Sequence, residues 1–173
     1  GIWSGPSAIV NGNYDPATMS PGVYTYALNA TAPCISASAT VTVTENAAPN
    51  AGISGGLTLC SNGAAAGLSA GLGGAPHSGG AWSGPSPVVG GNYDPATMTA
   101  GVYTYLVIGA APCANASATV TVTENTVANA GTNNALTICS NGAIADLFTQ
   151  LGGAPAVGGA WSGPSPVVGG SYD

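Results

Sequence analysis

Hydrophobic and polar residues alternate most clearly in two stretches of the chain. Val102-Tyr103-Thr104-Tyr105-Leu106-Val107-Ile108 and Ala118-Thr119-Val120-Thr121-Val122-Thr123 follow a period of two and are rich in β-branched and aromatic residues, which predicts strands. Gly109-Ala110-Ala111-Pro112-Cys113-Ala114-Asn115 between them reads as a hairpin-type loop. Leu57-Thr58-Leu59-Cys60 and Gly80-Ala81-Trp82-Ser83 are shorter strand candidates, each fenced by Gly, Ser or Asn. Val88-Val89 and the stretch after Asn92-Tyr93-Asp94-Pro95 are candidates for further short strands. Ala64 to Leu72 is Ala-rich, but Gly67 and Gly71 each cost a helix about 1 kcal/mol, so strand or irregular structure is expected there.

The whole pattern recurs every 79 residues. Gly1-Ile2-Trp3-Ser4-Gly5-Pro6-Ser7 returns at Gly80-Ala81-Trp82-Ser83-Gly84-Pro85-Ser86 and again at Gly159-Ala160-Trp161-Ser162-Gly163-Pro164-Ser165. The same offset relates Val23-Tyr24-Thr25-Tyr26 to Val102-Tyr103-Thr104-Tyr105, Cys34 to Cys113, and Cys60 to Cys139. A fixed long period means one structural unit copied in tandem. Asn46-Ala47-Ala48-Pro49-Asn50 reads as a linker, which divides the chain into the later part of a repeat (1–47), a complete repeat (48–126) and the earlier part of a third (127–173). Six or seven short strands per unit, joined by Gly/Pro turns, predict an all-β fold of tandem immunoglobulin-like antiparallel β-sandwiches.

Composition narrows the function. The chain has no Lys or Arg, six acidic residues and a formal net charge of −6. It therefore lacks the cations that nucleic-acid binding or an anionic membrane surface requires. Only 3% of residues are charged and 45% are hydrophobic, which is not the composition of a solvated disordered tail. No apolar run approaches a membrane span and no signal peptide is visible, so targeting signals are expected to lie in other parts of a longer chain.

Four Cys at a strict period, with no CxxC and a single His, point to disulfides and an oxidising, extracytoplasmic compartment. An intradomain Cys60–Cys113 bridge would close a loop of about 53 residues and contribute on the order of 4 kcal/mol. It lets each repeat fold independently and leaves Cys34 and Cys139 with partners outside residues 1–173. The alternative joins neighbouring repeats, Cys34 to Cys60 and Cys113 to Cys139. Both pairings stay open, with the intradomain one favoured.

The order Thr-x-Cys-Ser-Asn-Gly, Gly-Gly-x-Trp-Ser-Gly, Tyr-Asp-Pro, Gly-Val-Tyr-Thr-Tyr, Ala-Pro-Cys and Ala-Thr-Val-Thr-Val-Thr resembles the Ig-like repeats of very large secreted and cell-surface proteins of Bacteroidetes, including gliding-motility-type adhesins. The resemblance covers the complete unit and both partial ones. It implies export by the type IX system and a role as stalk, adhesin or filament at the cell surface.

Trp3, Trp82 and Trp161 recur once per unit and are candidates for stacking on sugar rings, but the core Trp of a small sandwich is the favoured reading, which predicts that Trp82 is largely buried. Tyr24, Tyr26, Tyr103 and Tyr105 share one strand face, as core residues do. Asp15, Asp94 and Asp173 lie in Tyr-Asp motifs, and Glu45 and Glu124 close the last strand. One Asp and one Glu per unit, Asp94 and Glu124 in the complete repeat, are a thin supply for junctional calcium. Turn formation explains the Asp residues without metal. His77 has no counterpart at Ala156, and no catalytic constellation repeats, so no enzyme activity, cofactor or metal is expected. The expected role is the rod of an extracellular fibre or giant surface adhesin, whose partners are further copies of the repeat or chain. The alternatives are a multivalent module for surface glycans and a filament subunit completed by strand exchange between chains.

Overall fold

The computed structural model describes residues 1–167 and 170–172. The fold is all-β: among the described residues the only helical segments are two short 3-10 turns, Leu68–Gly71 and Phe148–Gln150. The strands are β1 (Ile2–Ser4), β2 (Gly22–Leu28), β3 (Ala37–Val43), β4 (Gly55–Cys60), β5 (Ala66–Gly67), β6 (Ala81–Ser83), β7 (Asn92–Tyr93), β8 (Gly101–Val107), β9 (Ala116–Asn125), β10 (Ala145–Asp146) and β11 (Ser171–Tyr172).

The 79-residue period is also a structural period. β1, β2 and β3 match β6, β8 and β9, while β10 and β11 match β5 and β7. Isolated bridges repeat as well, Val10 to Asn13 with Val89 to Asn92, and Ile53 to Gly73 with Thr132 to Gly152.

In the complete repeat the main sheet has the order β4-β9-β8-β6. The β8–β9 hairpin is antiparallel, pairing Tyr103 with Val120 and Tyr105 with Ala118. The expectation of a purely antiparallel sandwich is corrected at one edge, where β4 pairs with β9 in parallel, from Gly55 opposite Val120 to Cys60 opposite Asn125. Alternation places Leu57 and Leu59 inward whichever way the strand runs, and the direction follows from the chain reaching this edge through the linker. β5, β7 and the first 3-10 turn lie over the inner face, so the unit is a thin, sandwich-like pair of layers. The segment 64–72 forms β5 and that turn, in keeping with its poor helix propensity.

The core is small and centred on tyrosine. Leu68, Tyr93, Tyr103, Val120 and Val122 form one buried cluster, and Ala51, Tyr105, Val107 and Ala118 form a second. The opposite face of β8 and β9 carries Val102, Thr121 and Thr123 into solvent. Thr58 and Thr123 hydroxyls hydrogen-bond across the parallel pair at 2.9 Å.

Each core Tyr satisfies its hydroxyl locally, which is what lets a phenol be buried. Tyr103 donates to the carbonyl of Thr99 at 2.7 Å, as Tyr24 does to Ser20. Tyr105 donates to the carbonyl of His77 and accepts from the Gly80 amide.

Candidate functional site

The aromatic candidates fall into the core network. Trp82 was expected to be largely buried and is half-buried, packed against both core clusters with its ring 4.9 Å from that of Tyr105. Trp3 and Tyr26 repeat the pair at 5.1 Å. Trp161 is 38% exposed, in a segment that carries no counterpart of Tyr105. In the two units that hold the pair, the Trp is thus the lid on a tyrosine.

The acidic candidates are engaged in local hydrogen bonds. Asp94 accepts from the Ala96 amide at 3.0 Å and from the Thr97 hydroxyl at 3.1 Å, closing the turn after β7. Asp15 does the same for Ala17 and Thr18. Asp173 lies outside the described residues. Glu124 accepts a short 2.5 Å hydrogen bond from the hydroxyl of Tyr93, and Glu45 one of the same length from Tyr14. His77 holds the linker: its Nδ1 accepts from the Asn50 amide at 3.3 Å.

Burial, and then the hydrogen bond and negative charge of Glu124, push the Tyr93 phenol well above its ordinary range. The same causes, with Glu45 as partner, push Tyr14 up to about 12. A folded-state value above the unfolded one, about 10, means the folded chain keeps protons that the unfolded chain gives up. The stabilisation is complete below about pH 10 and is lost as pH rises beyond it. Absorbance at 295 nm should therefore show a phenolate transition above about pH 10 that Tyr14→Phe and Tyr93→Phe each diminish, together with loss of the β-sheet circular dichroism. A high-pH transition unchanged in both variants would contradict this.

All four cysteines are free. The expected Cys60–Cys113 bridge is corrected by the direction of the strands. Cys60 ends β4 opposite Asn125, at the C-terminal end of β9, whereas Cys113 lies in the loop that leads into the N-terminal end of β9 at Ala116. Ten strand residues separate those ends, on the order of 30 Å, and a disulfide needs Cα atoms within about 7 Å. Cys34 occupies the corresponding loop before β3, and Cys139 the end of the segment that matches β4.

The structure instead forms a junction between the first two units. The Asn46 side chain donates to the carbonyl of Ala111 at 2.7 Å, and the Cys113 thiol donates to the carbonyl of Asn46 at 3.3 Å. The β8–β9 loop of one unit thus rests on the last residues of the unit before it. Asn50 then ties the linker to the carbonyls of Gly74 and Ala75, as Asn129 does to Gly153 and Ala154. These asparagines were not singled out in the sequence, although Asn46 and Asn125, and Asn50 and Asn129, stand one period apart.

The partial units expose complementary edges. Val41 on β3 is 52% exposed, whereas its counterpart Val120, covered by β4 and the 3-10 turn, is 0% exposed. Tyr24 stays buried even without that cover, because Tyr14 packs edge-on against it. In the third unit, Leu136, Thr137, Ile138 and Leu147 line an open cleft, and Phe148, Leu151, Pro155 and Trp161 line another. Their counterparts in the complete unit, Leu57, Leu59, Leu72 and Trp82 among them, pack against β8 and β9 residues. The clefts are seats for core side chains.

Compared with known proteins, the chain matches no family model, no curated protein and no solved structure at a significant level.

Proposed function

We propose that the chain is a structural repeat region: tandem immunoglobulin-like β-sandwich units forming the rod of an extracellular fibre or giant cell-surface adhesin. The observation that carries this reading is the junction. The same asparagines recur in each linker, and a loop of one unit rests on the end of the preceding one, so copying the unit extends a rod. The chemistry within the units is spent on holding them together: tyrosine hydroxyls, both Asp turns and both Tyr–Glu pairs serve internal contacts. With no Lys or Arg, the rod offers no trypsin-type cleavage site and little salt sensitivity. Surface export of the type IX kind belongs to this proposal through the family resemblance.

A second reading, a filament completed by strand exchange, draws support from the complementary edges. Residues 134–139 match β4, and β3 leaves free the edge on which β4 lies in the complete unit. One chain's end would then complete the next chain's start, a head-to-tail contact that propagates without closing.

Both readings are tested on the 173-residue chain and on a polypeptide in which residues 1–173 are followed in phase by residues 16–173. Electron microscopy should show rods that lengthen by an equal step, on the order of 30 Å or more, for each added unit. Compact particles that do not lengthen would overturn the rod. Sedimentation separates the readings: mass that rises with concentration means strand exchange, and a constant single-chain mass means a covalent rod. Saturable binding to a glycan array, with quenching of Trp fluorescence, would instead favour the carbohydrate-binding alternative.

A further inference from the structure

We propose that successive units are joined by a disulfide between the cysteine that ends β4 in one unit and the β8–β9 loop cysteine of the next. This pairing differs from the intradomain bridge and from the neighbour scheme expected from sequence. It rests on the junction geometry and is independent of any adhesive role.

Two observations one period apart place both cysteines at the same backbone residue, with the Cys60 thiol itself donating to Asn62 Oδ1 at 3.0 Å. At the junction after the first unit, the thiol of Cys113 lies 3.3 Å from the carbonyl oxygen of Asn46. At the end of the complete unit, Asn125 takes the place of Asn46, 79 residues on. Cys60 is the direct cross-strand partner of Asn125 in the parallel ladder, and the adjoining Ser61 amide donates to the Asn125 carbonyl at 2.9 Å.

The side-chain directions agree. Registered residues of a parallel pair project to the same face, so Cys60 and Asn125 share the outer face, and both are exposed. The side chain of Asn46, the residue equivalent to Asn125, reaches from that face to Ala111, two residues before Cys113. The loop of the following unit therefore docks on the side where the Cys60 sulfur lies. Cross-strand neighbours stand about 4.8 Å apart, so Cys60 lies one strand spacing from the residue on whose carbonyl the loop thiol of the next unit would rest. The turn that follows is already formed, with the Gly63 amide donating to Cys60 and the Gly142 amide donating to Cys139.

The free thiols of this chain are consistent with the scheme. The position that would face Cys113 across Asn46 falls one period before Cys60, outside residues 1–173, and so does the loop position that would face Cys60. Where units continue in phase, each bridge links two consecutive units, and every unit is stapled at both ends. The step is a two-electron oxidation. Two thiols lose two protons and two electrons to a disulfide oxidant, one S–S bond forms, and the oxidant leaves as two thiols.

The in-phase polypeptide (residues 1–173 followed by 16–173) contains two such pairs: Cys60 with the second copy's Cys34, and Cys139 with the second copy's Cys113. After equilibration with oxidised glutathione, alkylation of remaining thiols and digestion with pepsin, mass spectrometry should find those two links. C60S, at an exposed position, should lose the first link and keep the second. The proposal is overturned by a Cys60–Cys113 or Cys113–Cys139 link within one copy. It is equally overturned by loss of both links in C60S, or by full alkylation of all eight thiols in the folded, unsubstituted polypeptide.

Discussion

Val120→Asp is expected to unfold the complete unit, whereas Val41→Asp, one period earlier, changes stability by less than about 1 kcal/mol while the chain is monomeric. Val120 is 0% exposed in the cluster of Leu68, Tyr93 and Tyr103, and Val41 is 52% exposed. A carboxylate at position 120 must lose its hydration or take up a proton, and each costs several kcal/mol. Nothing can compensate it, because the chain has no Lys or Arg. A loss of about 4 kcal/mol or more is expected, comparable to the whole stability of a small domain. At position 41 the carboxylate keeps much of its water. Urea unfolding followed by far-ultraviolet circular dichroism measures both, and equal losses would sink the idea that β4 and the 3-10 turn make this core.

Gly84→Ala should destabilise the complete unit by about 3 kcal/mol, at the upper end of overpacking effects. A Cβ at Gly84 would enter the ring of Tyr103, coming within 2.7 Å of Cε1. That ring is buried and its hydroxyl is held by Thr99, so it cannot step aside. Gly5 stands in the same relation to Tyr24, so Gly5→Ala should be similarly costly for the first unit. At Gly163 the nearest atom is the carbonyl oxygen of Ser165 at 3.7 Å, so Gly163→Ala should cost little. Thermal unfolding of the three variants ranks them; a Gly163 variant as damaged as the Gly84 one would mean that backbone conformation, not the tyrosine, demands glycine here.

This contact also explains what was legible in the sequence. The Trp-Ser-Gly-Pro and Tyr-Thr-Tyr motifs recur together because one packs on the other, so the period and the main hairpin could be read directly. Alternation placed Tyr103, Tyr105, Val120 and Val122 on one face, and the structure buries all four. Strand direction was not legible. Leu57-Thr58-Leu59-Cys60 alternates identically in either orientation, and its partners on β9 lie 65 residues away. The disulfide expectation failed for the same reason. A loop-entropy argument counts the residues between Cys60 and Cys113, yet it contains nothing about which end of the sheet each occupies. The junction was missed because its asparagines lie in a segment with no periodic pattern, where only recurrence at the long period marks them.

The parallel pairing of β4 with β9 sets how an array responds to tension. A pull along the chain enters the complete unit at the start of β4 and leaves it at the end of β9. Because the two strands run the same way, that pull slides one along the other. The six paired positions from Gly55 to Cys60 then bear the load together, instead of opening one at a time as a hairpin pulled from its ends would. Each unit is therefore latched in shear by the strand on which the sequence was silent about direction, and a string of such latches yields one unit at a time.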